Sequence, residues 1–238
     1  MIDGKFQILI VGGSSSIGIE LLNTLQATDF GLIATYRSFI PKNVPESIQW
    51  LHLDLESSES IANFLASIRH FGVDIAIFLI GKTIAKELSD CTFNTIDFYI
   101  QTYVTNYTYL IKELVYSVCL DVDFTYLFLN ISSRSATKGS YDFLYAQAKA
   151  AIHSLFLSLN KQLNNVAFFN LVLGLIENSG MYNDMSRQLQ ENHRKRAGGK
   201  LLEIKQVSTA IELLIDDLKQ GKLCKASNNT IFLGPDYA

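Results

Sequence analysis

The feature that constrains this chain most is the run Phe6-Gln7-Ile8-Leu9-Ile10-Val11, followed at once by Gly12-Gly13-Ser14-Ser15-Ser16-Ile17-Gly18. A nearly unbroken apolar run of this length is expected of a strand buried on both faces. Such strands belong to parallel sheets covered by helices. The Gly/Ser stretch then leads into Ile17–Gln26, where apolar residues recur at helical spacing. Strand, tight loop and helix make the first half of a βαβ unit.

The rhythm continues along the 238 residues. Gly31–Thr35 reads as a second strand, Ile48–Leu53 as a third and Ser57–Arg69 as a helix. Asp74–Ile80 is a fourth strand, and Phe93–Cys119 carries one long helix. Phe124–Ile131 is a fifth strand, Tyr141–Leu163 a second long helix and Val166–Val172 a sixth strand. Val207–Leu218 is a helix and Thr230–Leu233 a short last strand, after a polar, irregular segment from Gly180 to Gly199. The expected fold is α/β: a Rossmann-type, doubly wound parallel sheet of about seven strands flanked by helices. No Pro/Gly/Ser linker divides the chain, so residues 1–238 are expected to form a single domain. Residues 178–200 are then a candidate substrate lid.

Composition excludes several classes. Twenty Lys and Arg against 23 Asp and Glu leave a net charge of −3, which argues against a nucleic-acid partner. At 48% hydrophobic residues the chain is not disordered. The longest apolar stretch, Val166–Ile176, is 11 residues and contains Asn170, whereas a membrane span needs about 20. Cys91, Cys119 and Cys224 are odd in number and widely spaced, which fits a reducing compartment and neither a disulfide scaffold nor a zinc site. The four histidines show no metal-ligand spacing, so no metal is expected. The N-terminus enters a strand directly and shows no signal-peptide pattern, so a cytoplasmic location is expected.

Position gives the glycine-rich loop its meaning. Gly12 permits the tight turn, and Gly18 lets the helix pack close to the strand. The N-terminus of a helix offers unpaired N–H groups and a positive dipole end to a pyrophosphate. Ser14, Ser15 and Ser16 add hydroxyl donors, with Ile17 between them and Gly18. The alternative is a plain strand–helix turn. At the end of the second strand Tyr36-Arg37 stands where NAD binders carry an acidic residue. An arginine can pair with a 2′-phosphate, which favours NADP(H) over NAD(H); the alternative is a surface arginine. Asp54 either hydrogen-bonds an adenine or caps the helix that begins near Ser57.

Tyr145-Ala146-Gln147-Ala148-Lys149 places a tyrosine and a lysine on one helix face. The ammonium is expected to lower the phenol pKa from about 10 toward neutrality and make it a usable proton donor. Ser132-Ser133 stands upstream at the carboxyl end of the fifth strand, where ligands bind in such sheets.

With the Gly12–Gly18 loop, Asn106, Ser132-Ser133 and Tyr145-x-x-x-Lys149 in this order, the chain resembles the short-chain dehydrogenase/reductase family, in its single-domain subgroup, over nearly its whole length. The resemblance implies that Asn106, Ser133, Tyr145 and Lys149 are catalytic. Ser133, rather than Ser132, orients the substrate carbonyl. Tyr145 is the general acid in reduction. Lys149 binds the nicotinamide ribose, and Asn106 holds a water in a relay to Lys149. The cofactor-binding residues implied are Gly12, Ser14, Ser15, Ser16, Ile17, Gly18, Arg37, Asp54, Leu55, Gly81, Tyr145, Lys149, Gly174 and Ile176. The aromatic stripe Phe93, Phe98, Tyr99, Tyr103, Tyr107, Tyr109 and Tyr116 reads mainly as packing, but the resemblance implies that the two long helices build a homodimer or homotetramer, with some of the stripe at that interface.

The chain departs from the family pattern at several points. The loop's middle glycine is Ser16. The family's Asn-Asn-Ala-Gly is Phe78-Leu79-Ile80-Gly81, its Pro-Gly is Leu173-Gly174, and its threonine is Asn178. The chain ends Gly234-Pro235-Asp236-Tyr237-Ala238, without the usual glycine pair. Phe78 and Leu79 read as core. The cluster His193-Arg194-Lys195-Arg196 is either a solvated helix face or a dock for an anionic substrate handle, an end that Arg134 and Lys138 would also serve.

The expected function is NADPH-dependent carbonyl reduction or alcohol oxidation on a small or carrier-bound substrate. One alternative is 3-oxoacyl-carrier-protein reduction. Another is a non-catalytic dinucleotide-binding regulator or partner subunit.

Overall fold

The computed structural model describes residues 5–84, 87–121, 123–222 and 229–234, with the side chain of residue 196 left aside. The readings at Met1–Gly4, Cys224 and residues 235–238 lie outside the described residues, as does the side chain of Arg196. Among the described residues seven strands form one sheet: β1 Gln7–Val11, β2 Gly31–Tyr36, β3 Gln49–His52, β4 Ile75–Phe78, β5 Tyr126–Ser133, β6 Val166–Leu173 and β7 Thr230–Leu233. Their order across the sheet is β3-β2-β1-β4-β5-β6-β7, and every neighbouring pair is parallel. The order reverses between β1 and β4. In open α/β sheets that switch point is where the carboxyl edge leaves a crevice for a ligand.

Helices α1 (Ser16–Leu25), α2 (Ser58–Ile68), α3 (Phe93–Ile100), α4 (Tyr107–Val118), α5 (Ser135–Lys138), α6 (Phe143–Gln162), α7 (Gly180–Asn183), α8 (Arg187–Arg196) and α9 (Ile204–Lys219) fill the connections. The alternation of β1 shows why both faces are covered. Leu9 and Val11 join a core with Phe64 of α2, Leu110 of α4 and Phe156 of α6. Ile8 and Ile10 join the opposite core with Leu21 and Leu22 of α1 and Ile211 and Ile215 of α9. Phe78, read as core, is fully buried and touches the rings of Tyr107, Phe128 and Phe156.

Two readings need correction. The long helix over Phe93–Cys119 is interrupted by a π-helical stretch, Gln101–Asn106, which separates α3 from α4. The segment Gly180–Gly199 is largely helical, as α7 and α8. Its polarity reflects an exposed helix rather than irregular chain, since Ser179 and Ser186 accept from Tyr182 N and Leu189 N and so cap the two helices.

Candidate active site

The loop from β1 to α1 is built as its residues predict. Gly12 has φ of +87°, a left-handed conformation that favours glycine, and its N–H donates to the Thr35 hydroxyl at 2.8 Å. The Ser15 hydroxyl accepts from Gly18 N at 3.1 Å and caps α1. A side chain on Gly18 would lie 2.5 Å from the Gly13 carbonyl oxygen, so the helix start and the loop can meet only around a glycine. Ser16 opens α1, and its hydroxyl accepts from Gly180 N at 3.4 Å, which links the loop to the start of α7.

Beside this loop a cleft of about 270 Å³ runs along the carboxyl ends of β1 to β4. It brings together Gly12, Ser14, Arg37, Asp54, Leu55 and Gly81 of the expected cofactor residues. Ser15, Ser16, Ile17 and Gly18 form the adjoining first turn of α1 and its cap. Gly174 and Ile176 lie further along the edge, past β6: Gly174 N donates to Leu233 O, and Ile176 bridges Leu202. Asp54 is not the cap of α2. Ser57 caps that helix through Ser60 N, and Asp54 accepts from Glu56 N at 3.0 Å within its own turn. A carboxylate two residues ahead of an N–H closes this turn without a helix. Glu56, Tyr103, Thr102 and Lys82 also line the cleft, and none was read from the sequence.

Tyr145 and Lys149 line a second, smaller pocket that shares Ile80, Gly81 and Tyr103 with this cleft, and Ser133 reaches Tyr145 from β5. Ser133 ends β5, and its hydroxyl is hydrogen-bonded to the Tyr145 phenol, a contact that favours the phenolate. Ser132 points elsewhere: its hydroxyl meets His153 Nδ1 at 3.1 Å. Lys149 Nζ lies 5.8 Å from the centre of the Tyr145 ring and donates to Ile80 O and Ile131 O, both at 2.7 Å. Gly81 borders this pair, since a side chain there would stand 2.8 Å from Lys149 Cε. Asp142 is buried and fixes the start of α6. One carboxylate oxygen accepts from Tyr145 N at 3.0 Å and the other from Ile84 N at 2.7 Å.

The electrostatics differ from the expectation that Lys149 pulls Tyr145 toward neutrality. Burial pushes the phenol up to about 12, with the Ser133 hydrogen bond acting against it and the Asp142 charge adding to it. Burial also brings Lys149 down to about 8. Desolvation disfavours the charged form of each group, so the two move in opposite directions.

Asn106 stands at the junction of the π-helical stretch and α4. It closes the π-helical stretch; its amide donates to Leu55 O at 2.8 Å and its carbonyl accepts from Gln101 at 3.0 Å. The side chain thus joins the cleft wall at Leu55 to Gln101. The basic residues read as an anionic dock are also partly engaged. Arg194 is ion-paired with Glu177, and Arg134 donates to Gly234 O at 2.7 Å beside the Phe232 ring. Among the described residues no group of three His, Cys, Asp or Glu side chains is placed to hold a metal ion.

Solved structures match this arrangement over nearly the whole chain. A point variant of actinorhodin polyketide ketoreductase, with NADPH, superposes with a TM-score of 0.80 at 16% identity, covering 97% of this chain and 96% of its own. The chain has the short-chain dehydrogenase/reductase fold. A short-chain dehydrogenase family protein from Francisella tularensis subsp. tularensis SCHU S4 shares this fold with a TM-score of 0.80 at 18% identity, covering 97% of each chain. A short-chain dehydrogenase from Sphingobium yanoikuyae, in complex with NADPH, gives 0.76 at 16% identity, covering 95% of this chain and 87% of its own. No family model matches the sequence, and no curated protein matches it. At these identities the short-chain dehydrogenase/reductase fold is what the chain shares with its structural neighbours.

Proposed function

We propose that this chain is a nicotinamide-dependent oxidoreductase that interconverts a carbonyl and an alcohol, with NADP(H) preferred over NAD(H). The grouping of Ser133, Tyr145 and Lys149 beside the loop-lined cleft, with Gly81 lining the cleft and bordering the Tyr145–Lys149 pair, carries this reading. The cleft suits a dinucleotide. It combines a helix start, a left-handed glycine turn and Gly81, where a side chain would crowd the tip of Lys149. The bound cofactor supplies the hydride. Tyr145 gives its phenolic proton to the substrate oxygen, and the pKa of about 12 keeps that proton available across the neutral range. Ser133 orients the same oxygen. Lys149 stands near its own working pKa and resupplies the proton.

Arg37, at the end of β2, is the group proposed to meet a 2′-phosphate. The substrate is a small or carrier-bound carbonyl compound, with residues 178–200 closing over it. The chain is proposed to act as one domain, in the cytoplasm, as a homodimer or homotetramer. Exposed Phe98, Tyr109 and Tyr116 on α3 and α4 supply apolar surface for that contact. Two structural neighbours hold NADPH, which supports the cofactor reading.

The test is a screen of ketones and aldehydes with NADPH, followed by Tyr145→Phe. Loss of a positioned general acid is expected to lower kcat by about 10²–10⁴-fold while nucleotide binding persists. Turnover that survives Tyr145→Phe would refute the assignment.

A further inference from the structure

The end of β2 and the turn after β3 meet at the mouth of the cleft. Tyr36 pairs in parallel register with His52, so Arg37 and the Asp54–Glu56 turn emerge side by side. Arg37 Nη1 lies 3.1 Å from Glu56 Oε1, and both residues line the cleft. His52 Nε2 meets Arg37 O at 2.9 Å, and His52 Nδ1 meets the Ser60 hydroxyl at 3.2 Å. The backbone that presents Arg37 is therefore tied to the strand that presents Glu56. Each side chain of the pair is partly exposed, and the charge beside Arg37 belongs to a residue outside β2.

We propose that Glu56 is a specificity-determining residue: it engages Arg37 and so narrows the preference of the site for a 2′-phosphorylated dinucleotide over an unphosphorylated one. The inference rests on the cofactor reading above. The chemistry of the two ribose forms leads to it. A 2′-phosphate needs the Arg37 guanidinium and must share it with, or take it from, the Glu56 carboxylate. A 2′-hydroxyl makes no such demand. It is a donor, and a carboxylate is an acceptor with several lone pairs, so Glu56 can receive it while still holding Arg37. Acidic residues at the end of β2 serve that purpose in NAD binders. Here the carboxylate comes from the turn after β3 and sits against an arginine. Arg37 alone would favour the phosphorylated nucleotide strongly. Arg37 with Glu56 favours it weakly.

Fluorescence titrations with NADPH and NADH of the native chain, Glu56→Gln, Arg37→Ala and the double variant test this. Glu56→Gln keeps the shape and removes the charge. It is expected to tighten NADPH binding about fivefold and to leave NADH within about twofold. In the Arg37→Ala background the same change is expected to have little effect, because the residue acts through Arg37. Unchanged or weaker NADPH binding by Glu56→Gln overturns the inference, even if the native chain binds NADPH. An equal gain with and without Arg37 overturns it as well, since Glu56 would then act as an isolated charge. Binding of neither nucleotide by the native chain overturns the cofactor reading, and this inference with it.

Discussion

At the residue scale the proposed chemistry rests on two groups that burial moves in opposite directions. Tyr145 rises to about 12 and Lys149 falls to about 8, because desolvation penalises phenolate and ammonium alike. For carbonyl reduction the useful state is a protonated phenol beside a protonated lysine. As pH rises, the lysine leaves that state first. Reductive kcat/KM, which reports the free enzyme, is therefore expected to fall as pH passes about 8, while the phenol still holds its proton. A pH–rate profile of the native chain against Lys149→Arg checks this. The arginine stays charged, so the limb near 8 should disappear or move upward. An identical limb in both proteins would assign it to another group. The tyrosine–lysine spacing was legible in the sequence, but the direction of the phenol shift was not. It depends on burial, and burial belongs to the assembled fold.

At the element scale the site depends on how helices begin. Asp142 caps α6 at Tyr145 N and holds Ile84 N with its other oxygen, so one carboxylate locks α6 to the chain that follows β4. Asp142→Ala is expected to cost about 1 kcal/mol for the cap, with a further loss from the Ile84 N–H left without that acceptor. Asp142→Asn keeps part of the cap. Chemical denaturation of both variants measures the difference, and equal stability of native and alanine proteins would contradict the role. The strands were legible because unbroken apolar runs such as Ile8–Val11 mark two-faced burial. The π-helical stretch Gln101–Asn106 was not, since its apolar spacing continues smoothly from Phe93 into α4. Asn106 closes that stretch, and its amide donates to Leu55 O. Tandem capping serines at 179 and 186 were the available signal that residues 180–196 would form two helices.

At the scale of the whole molecule the sheet order decides what can become a site. Placing β4 beside β1 and β3 beside β2 brings loops from four strands to one edge, and the cleft follows from that order. The loop residues Gly12–Gly18 and the triplet Ser133, Tyr145 and Lys149 could be read along the chain because the loop joins β1 to α1, Ser133 ends β5, and Tyr145 and Lys149 share the first two turns of α6. Glu56 could not. Its contact with Arg37 exists only because β2 and β3 are neighbours in parallel register. On this reading the edge is a dinucleotide site that feeds Tyr145. Calorimetric titration of the native chain with NADPH tests it, with Gly18→Val as control, because a side chain there meets the Gly13 carbonyl. One NADPH is expected to bind per chain, with binding lost in the Gly18→Val protein while it stays folded. No heat of binding in the native chain, or equal binding in both, would contradict a dinucleotide site at this edge.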